Sequence, residues 1–527
     1  MLEKEYRTVA ALDIGSSGLR MIIADVFSDG RIQPLEQIKK NTSIGHDSFT
    51  MGRIGVDTIK KICLNLSNCQ KLLEEYQVDE YIAVATSGMR EAENRDYILS
   101  QIKSRTNLDI KIINNAEERY LTYKAIKYYI PSFSKRMKDE GLLIVDIGSG
   151  GVEISVYNDG MLKFTDYLKA GSLRLSKILA DLESISLDFP RIMEEFIETK
   201  FHLLKSLLEK NEIKRFIGLG GELRTLLDLF KEENYNDSDI MSNDYDFIKK
   251  DYLRNLYSTV KHMTTEQIRE NYGLDFQVAK TLLPSVIIFN YFLKITQTSK
   301  IIVPLVSIRH GLIADMLEKS FNVIHSTNYK KDIISSVKQI GNKYQILNDH
   351  SDQVEWLALT IFEQTKNIHK LGQKEELYLQ VASILHDVGK FIDSNHHALH
   401  SYNILSTQDI MGFSDRDLNI MANIVKYHEE EDPQSFHENY RSISFEDRIV
   451  IAKLVAILKL ANSLDISSKQ KIKDINIIKN KKFLRFNVVT RGNFLLEKWL
   501  FMKRAHFFEE VFGYKPELII EEDDFNG

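Results

Sequence analysis

The chain has 527 residues, which at roughly 100–200 residues per domain predicts three or four structural units. Hydrophobic residues make up 43% and charged residues 27%, which excludes disordered, collagen-like and coiled-coil classes. The 69 basic and 75 acidic residues leave a net charge of −6, against a general nucleic-acid binder, although a local basic groove stays open. Seven prolines, far below the usual share of about 5%, predict long uninterrupted helices. Cys63 and Cys69 are too few for a disulfide framework and are expected as buried thiols in a reducing cytoplasm. The N-terminal residues Met1 to Arg7 contain no apolar signal region. The most apolar stretch, 282–293, is interrupted by Pro284, Ser285 and Asn290 and falls short of the ~18 apolar residues of a membrane span. A soluble, cytoplasmic protein without membrane or nucleic-acid partners is expected.

In chain order, the first strong pattern is a strand at 9–12 running into Asp13-Ile-Gly-Ser-Ser-Gly18. A second apolar run, 19–26, and a turn at Asp29-Gly30 complete a hairpin. Helices are predicted at 56–76 and 95–105, strands at 81–85 and 110–113, and another helix starting near Ala116. The polar segment 131–141 is expected to be a hinge. The opening then repeats: strand 142–145, loop Asp146-Ile-Gly-Ser-Gly-Gly151, strand 152–157 and a turn at Asp159-Gly160. Helices at 173–180 and 191–210 follow, then a strand, 215–219, ending in Gly218-Leu-Gly-Gly221. From about 245 to 468 the pattern is almost wholly helical, with 319–331 as a connector. The last part alternates like strands at 475–478, 483–489, 494–499 and 518–520, with a helix at 503–512 and an acidic tail at 521–527. Two equivalent strand–loop–strand starts with alternating helices predict a duplicated α/β fold.

Gly and Ser after a buried strand let backbone N–H groups approach an anion without side-chain obstruction. An Asp at the strand end can hold a metal or its bound water. Two such loops facing one another make a polyphosphate clamp, assigned to Gly15, Ser16, Ser17, Arg20, Gly148, Ser149 and Gly150, with Gly220 and Gly221 from the third cluster.

This architecture resembles the actin-like, ribonuclease H-like (ASKHA) superfamily, and within it the exopolyphosphatase / guanosine pentaphosphate phosphatase (Ppx/GppA) family. The resemblance rests on motifs in order over essentially the whole chain. They are Asp13-Ile-Gly-Ser-Ser-Gly-Leu-Arg20, Ala85-Thr-Ser-Gly-Met-Arg-Glu-Ala92 with Asn94, Ala116-Glu-Glu-Arg119, Asp146-Ile-Gly-Ser-Gly-Gly-Val-Glu153, Ala170-Gly-Ser-Leu-Arg-Leu175, Gly218-Leu-Gly-Gly221 and Ser307-Ile-Arg-His-Gly311. It implies an actin-like pair of subdomains at 1–130 and 131–318. It also implies that Asp146 and Glu153, with Asp13, hold Mg2+ (or Mn2+), that Arg90 contacts the substrate, and that Glu117, the first of its Glu pair, activates the attacking water. A carboxylate at a helix N-terminus beside a phosphate cleft can act so where its pKa is raised; otherwise Glu117 and Glu118 serve the helix dipole. Arg20, Arg174 and Arg309 are weaker candidates. Three departures stand out. Gly151 and Val152 replace hydroxyl residues of the family's Gly-Gly-Gly-Ser-Thr-Glu pattern, and Asn114-Asn115 replaces Ser-Gly.

The helical region carries His350, His386-Asp387, His400, His428 and Asp465. The order resembles the HD superfamily of metal-dependent phosphohydrolases, which implies an HD-like domain at 319–470 with His350, His386, Asp387 and Asp465 as ligands of a second divalent metal. In the family this domain also helps to build a dimer and a basic polyphosphate channel. His396, His397 and His400 form an expected polar loop. A small α/β domain is expected at 471–527. The function implied is Mg2+-dependent release of terminal orthophosphate from inorganic polyphosphate by a homodimer. The alternatives are hydrolysis of guanosine pentaphosphate (pppGpp), an actin-like ATP-binding regulator and an alarmone sensor with a decayed site.

Overall fold

Strand β1 (Tyr6–Ile14) is buried on both faces from Thr8 onward. Ala10, Leu12 and Ile14 enter one core and Val9 and Ala11 another, as a strand's two-residue period requires when both faces are covered. In the computed structural model of the chain, the described residues are 6–130, 141–159, 161–179, 182, 186, 188–233, 246–296, 298–321 and 329–522. The expected hinge at 131–140 and the tail at 523–527 lie outside them. β2 (Gly18–Phe27) and β3 (Ile32–Asn41) continue β1 antiparallel, while β4 (Glu80–Ala85) and β5 (Ile110–Ile112) add parallel strands, in the order β3-β2-β1-β4-β5. Helix Val56–Glu75 lays Ile59, Ile62, Cys63, Leu66, Cys69 and Leu73 on one face of this sheet. Both cysteines are buried and free, and burial pushes the Cys69 thiol up to about 11.

The second sheet repeats the plan. β6 (Gly141–Ile147), β7 (Val152–Asn158) and β8 (Met161–Leu168) form an antiparallel run, and β9 (Ile213–Gly220) pairs parallel with β6. β10 (Asp246–Lys249) and β11 (Lys300–Val303) complete the order β10-β11-β9-β6-β7-β8. The match extends to register: Asp13 lies opposite Arg20 as Asp146 lies opposite Glu153. The fold is the duplicated actin-like one. One helix breaks the symmetry between chain order and lobes. Ile308–Phe321 follows the second sheet but packs Leu312, Ile313, Met316 and Leu317 on the first.

The chain divides into two compact units, Met1–Asn328 and Tyr329–Gly527. In the second, helices Tyr329–Lys343, Asn348–Gln364, Gln373–Leu385, His397–Thr407, Asp415–Lys426 and Phe445–Ser463 precede a small sheet of β12 (Ile472–Lys479), β13 (Phe483–Thr490) and β14 (Lys515–Glu522).

Four expectations need correcting. Residues 494–499 are not a strand: helix Leu495–Phe512 buries Glu497, Phe501, Arg504, Ala505 and Phe508, a three- and four-residue spacing. It is the crossover that parallel β13 and β14 require. The helix expected at 191–210 splits into Phe189–Lys200 and His202–Lys210 around the fully buried Phe201. At the expected connector 319–331, residues 319–321 and 329–331 are helical. The apolar stretch at 282–293 lies in a 21-residue helix, Phe276–Thr296, that does reach the length and composition of a membrane span. Its apolar window is 61% buried in the second lobe's core, and Pro284 sits inside it.

Gly220 closes β9 at φ +124°, where an added Cβ would run into the Ile147 carbonyl. Gly273 also has positive φ, at +62°, but open space around it. Gly220→Ala should therefore destabilise the protein by at least ~1–3 kcal/mol and by more than Gly273→Ala does. Calorimetric unfolding of the two variants checks the ranking.

Candidate active site

The two Gly/Ser loops adopt the same turn. Gly15 N–H donates to the Gly18 carbonyl at 2.9 Å, and Gly148 N–H to the Gly151 carbonyl at 2.9 Å. Each is held from behind by an incoming helix: Gly45 N–H donates to the Ser16 carbonyl at 2.8 Å, and Arg174 N–H to the Ser149 carbonyl at 3.0 Å. Ser16 is buried and its hydroxyl lies 3.0 Å from that of Ser87, while Ser17 is exposed. Gly220 pairs in register with Ile147, so the third glycine cluster adjoins the second loop, and helix Gly221–Glu233 starts there. The loops meet across the lobes. A Cβ on Gly150 would lie 2.8 Å from the Ser87 hydroxyl. Arg174 donates from Nε to the Gly150 carbonyl at 2.6 Å and from Nη2 to Glu91 at 2.6 Å, with Phe49 against its guanidinium. Arg174 thus ties the second loop to the first lobe.

Asp13, Asp146 and Glu118 converge behind the loops, close enough to perturb one another. Burial raises all three carboxyls: Asp13 is pushed up by burial and pulled back by Arg20 and Arg309, Asp146 rises to about 6, and Glu118 to about 7. Arg20 reaches Asp13 at 3.5 Å, yet Asp13 Oδ1 is buried without a hydrogen-bond partner among the described residues. Glu153 lies opposite Asp146 and shares its face of the sheet. Both line a small pocket with Arg119, Thr122, Tyr123 and Ser155. Carboxylate oxygens gathered in a low-dielectric site, one unpartnered, are the donor set a hard divalent cation takes. Asp13, Asp146 and Glu153 fit that role.

The Glu pair sorts differently from expectation. Glu117 is spent on its own helix, Asn115–Tyr129: its N–H donates to the Asn114 side chain, and its carboxylate accepts from Asn114 N–H in a capping box and from Lys111. Glu118, one residue on and 100° around the helix, is the half-buried carboxylate that Asp13 and Asp146 perturb, and it accepts from Arg90 at 2.7 Å. Arg90 also donates to the Ile113 carbonyl and to the Asn115 side chain. Asn115 therefore supplies an acceptor that the family's glycine cannot.

The second unit holds another cluster, centred on Asp387. His350, His386 and Asp387 group on one side, and His397, His428 and Asp387 on the other, all buried. Each of His386, His397 and His428 donates from Nδ1 to a backbone carbonyl, of Ser383, Ser394 and Val425 respectively. Their Nε2 lone pairs are thereby left facing inward. Asp465 lies 2.8 Å from His350 Nδ1 and performs the same orienting task, so it stands behind His350 rather than beside Asp387. Asp387 Oδ1, His397 Nε2 and His428 Nε2 are buried and make no hydrogen bond among the described residues, with His397 Nε2 3.3 Å and His428 Nε2 3.8 Å from Asp387 Oδ1. Burial holds His386 down to about 4 and lowers His428 as well, which keeps both imidazoles neutral, the ligand form. The set fits a divalent metal that accepts nitrogen and oxygen ligands. His397, expected in a polar loop with His396 and His400, is buried in it, whereas His396 is exposed and pairs with Asp393 at 2.7 Å.

A sequence profile of the Ppx/GppA phosphatase family matches residues 22–320, and one for Ppx/GppA phosphatase, domain III, matches residues 334–503. The guanosine-5'-triphosphate,3'-diphosphate pyrophosphatase of Pseudoalteromonas atlantica is 21% identical over 482 residues, 88% of this chain and 87% of the relative. Exopolyphosphatase 1 of Mycobacterium leprae is 24% identical over 169 residues, 32% of this chain and 48% of the relative. A bifunctional 3-dehydroquinate synthase/phosphatase of Fusobacterium nucleatum is 25% identical over 282 residues, half of this chain, and the match spans only 40% of that longer protein. The exopolyphosphatase structure from Cytophaga hutchinsonii superposes with a TM-score of 0.53 at 20% identity, over 59% of this chain and 98% of that one.

Two outcomes follow from the electrostatics. Carboxyls titrating at about 6 and about 7 are partly protonated near neutrality, so a cation must displace protons to bind. Mg2+ affinity should rise from pH 5.5 to 8, with proton release at pH 6 that fades at pH 8. Calorimetry in buffers of different ionisation enthalpy reads this directly, and an uptake of protons would contradict it. In the second unit, His386→Ala or His428→Ala should lower the metal content of the full-length protein measured by elemental analysis, whereas His396→Ala should not.

Proposed function

The chain belongs to the Ppx/GppA phosphatase family, and on that premise we propose that its first unit removes the terminal orthophosphate of inorganic polyphosphate, with guanosine pentaphosphate as the alternative substrate. The observation that carries this reading is Glu118: a half-buried carboxylate of raised proton affinity, held by Arg90 and set near Asp13 and Asp146 beside two phosphate-type loops. Such a group suits a general base, since a pKa near the working pH balances availability of the base against its strength. Mg2+ held by Asp13, Asp146 and Glu153 supplies charge neutralisation of the phosphoryl oxygens.

The residues divide the remaining work. The loop backbones at 15–17 and 148–150 seat the anion. Arg90, kept in place by Asn115 and Ile113, shares its guanidinium between Glu118 and the terminal phosphoryl group. Glu118 takes a proton from water as the water oxygen bonds to phosphorus and the bridging P–O bond breaks in line. The leaving phosphate keeps the bridging oxygen. Glu117 stays with its cap. Relatives named both as exopolyphosphatase and as guanosine-5'-triphosphate,3'-diphosphate pyrophosphatase support the substrate class of phosphoanhydrides with an accessible end. In the second unit we propose a divalent metal at Asp387 with His350, His386, His397 and His428.

Orthophosphate release from both substrates tests the assignment. Glu118→Gln should lower turnover by about 100- to 10,000-fold. Glu117→Ala should keep turnover and lose only about 0.5–2 kcal/mol of stability through its cap. The opposite ranking would return the base to Glu117, and no release from either substrate would remove the phosphohydrolase reading.

A further inference from the structure

The second loop lacks hydroxyl side chains at Gly151 and Val152, where the resembled pattern carries Ser and Thr. The space above Gly151 is nevertheless filled. An added Cβ there would fall on Tyr167, with ring atoms Cζ and Cε2 and the hydroxyl oxygen its three nearest neighbours. Tyr167 comes from β8, the strand beyond β7, and its position is set by register. Asp146 lies opposite Glu153, and Glu153 opposite Tyr167, so the three form one row on one face of the sheet. The hydroxyl is buried and has no hydrogen-bond partner among the described residues. The charged groups around it are Arg90, Glu118, Glu153 and Glu91. A buried hydroxyl left unpaired costs roughly 1–3 kcal/mol, so its position calls for a ligand atom. A phenol keeps its proton near neutral pH, so this hydroxyl can donate.

We propose that Tyr167 is a catalytic residue whose hydroxyl donates to an oxygen of the terminal phosphoryl group, in place of the side-chain hydroxyl that the loop lacks at Gly151. This rests on the phosphohydrolase reading for its effect on turnover, but its anion contact is separable from it. Glycine at 151 is then a requirement: only without a Cβ can the ring lie on the loop. The hydroxyl arrives from the neighbouring strand rather than from position 151 of the loop, whose Ser149 lies two residues earlier.

The test uses full-length protein with Mg2+ and two readouts, orthophosphate release from polyphosphate and guanosine pentaphosphate, and calorimetric binding of tripolyphosphate. Tyr167→Phe keeps the ring and removes one oxygen. It should fold as wild type, lower kcat/KM by about 10- to 100-fold and weaken tripolyphosphate binding. Gly151→Ser alone should be impaired, because its Cβ meets the Tyr167 ring. Gly151→Ser combined with Tyr167→Ser should regain at least about tenfold over Tyr167→Ser alone, because the loop then carries its own hydroxyl beside an emptied space. Tyr167→Phe within twofold of wild type in both readouts overturns the proposal. If wild type releases phosphate from neither substrate, the phosphohydrolase reading falls, and tripolyphosphate binding by Tyr167→Phe alone decides the Tyr167 contact: weakened binding upholds it and unchanged binding overturns it.

Discussion

The mutual repulsion of Asp13, Glu118 and Asp146 is the constraint around which the first unit is arranged. Three carboxyls brought out of water raise one another's proton affinity unless positive charge joins them. The chain supplies some of that charge itself, with Arg20 and Arg309 acting on Asp13 and Arg90 on Glu118. Arg309 is itself strained by burial, which draws it down to about 10. The remaining deficit suits a divalent cation and, after it, an anion that needs the cation. A net charge of −6 is therefore no obstacle to the proposed polyanionic substrate, since the proposed contacts are local: a few arginines, backbone N–H groups and a cation.

The duplication explains how one scaffold reaches two different charges. In both lobes an Asp ends the first strand, and the residue seven positions later lies directly opposite it. In the first lobe that residue is Arg20, in the second Glu153. One loop thus sets an arginine opposite its aspartate, and the other a second carboxylate, the pair proposed to hold a cation. Ser87 and Arg174 then join the loops across the lobes, so that positions set by two separate sheets hold one site.

Much of this was legible in residue order. The repeated Asp-Ile-Gly-Ser loops predicted the duplicated sheets, because Gly and Ser after a buried strand have a narrow set of uses. The Glu pair was not separable, since Glu117 and Glu118 differ only by a rotation around the helix. The signal that distinguishes them is Asn114, whose capping box at 114–117 claims the first Glu. Tyr167 was invisible because its role depends on cross-strand register, with only the missing hydroxyl at Gly151 as a clue. Residues 494–499 misled because a short apolar run fits a strand or a helix equally well. In the second unit, His397 and His428 needed tertiary placement to be told from His396 and His400, all of them on or beside helices.

The two units apply one principle with different ligands. The first gathers oxygen donors around an Asp13 Oδ1 that makes no hydrogen bond among the described residues; the second gathers imidazoles around Asp387, with two Nε2 atoms facing its Oδ1. Anomalous diffraction from crystals of the full-length protein equilibrated with Mn2+ tests the central claim most directly. The account predicts a peak within carboxylate reach of Asp13 and Asp146, lost in Asp146→Asn while the peak at Asp387 persists. Absence of any peak beside Asp13 and Asp146 in the wild-type protein would contradict it.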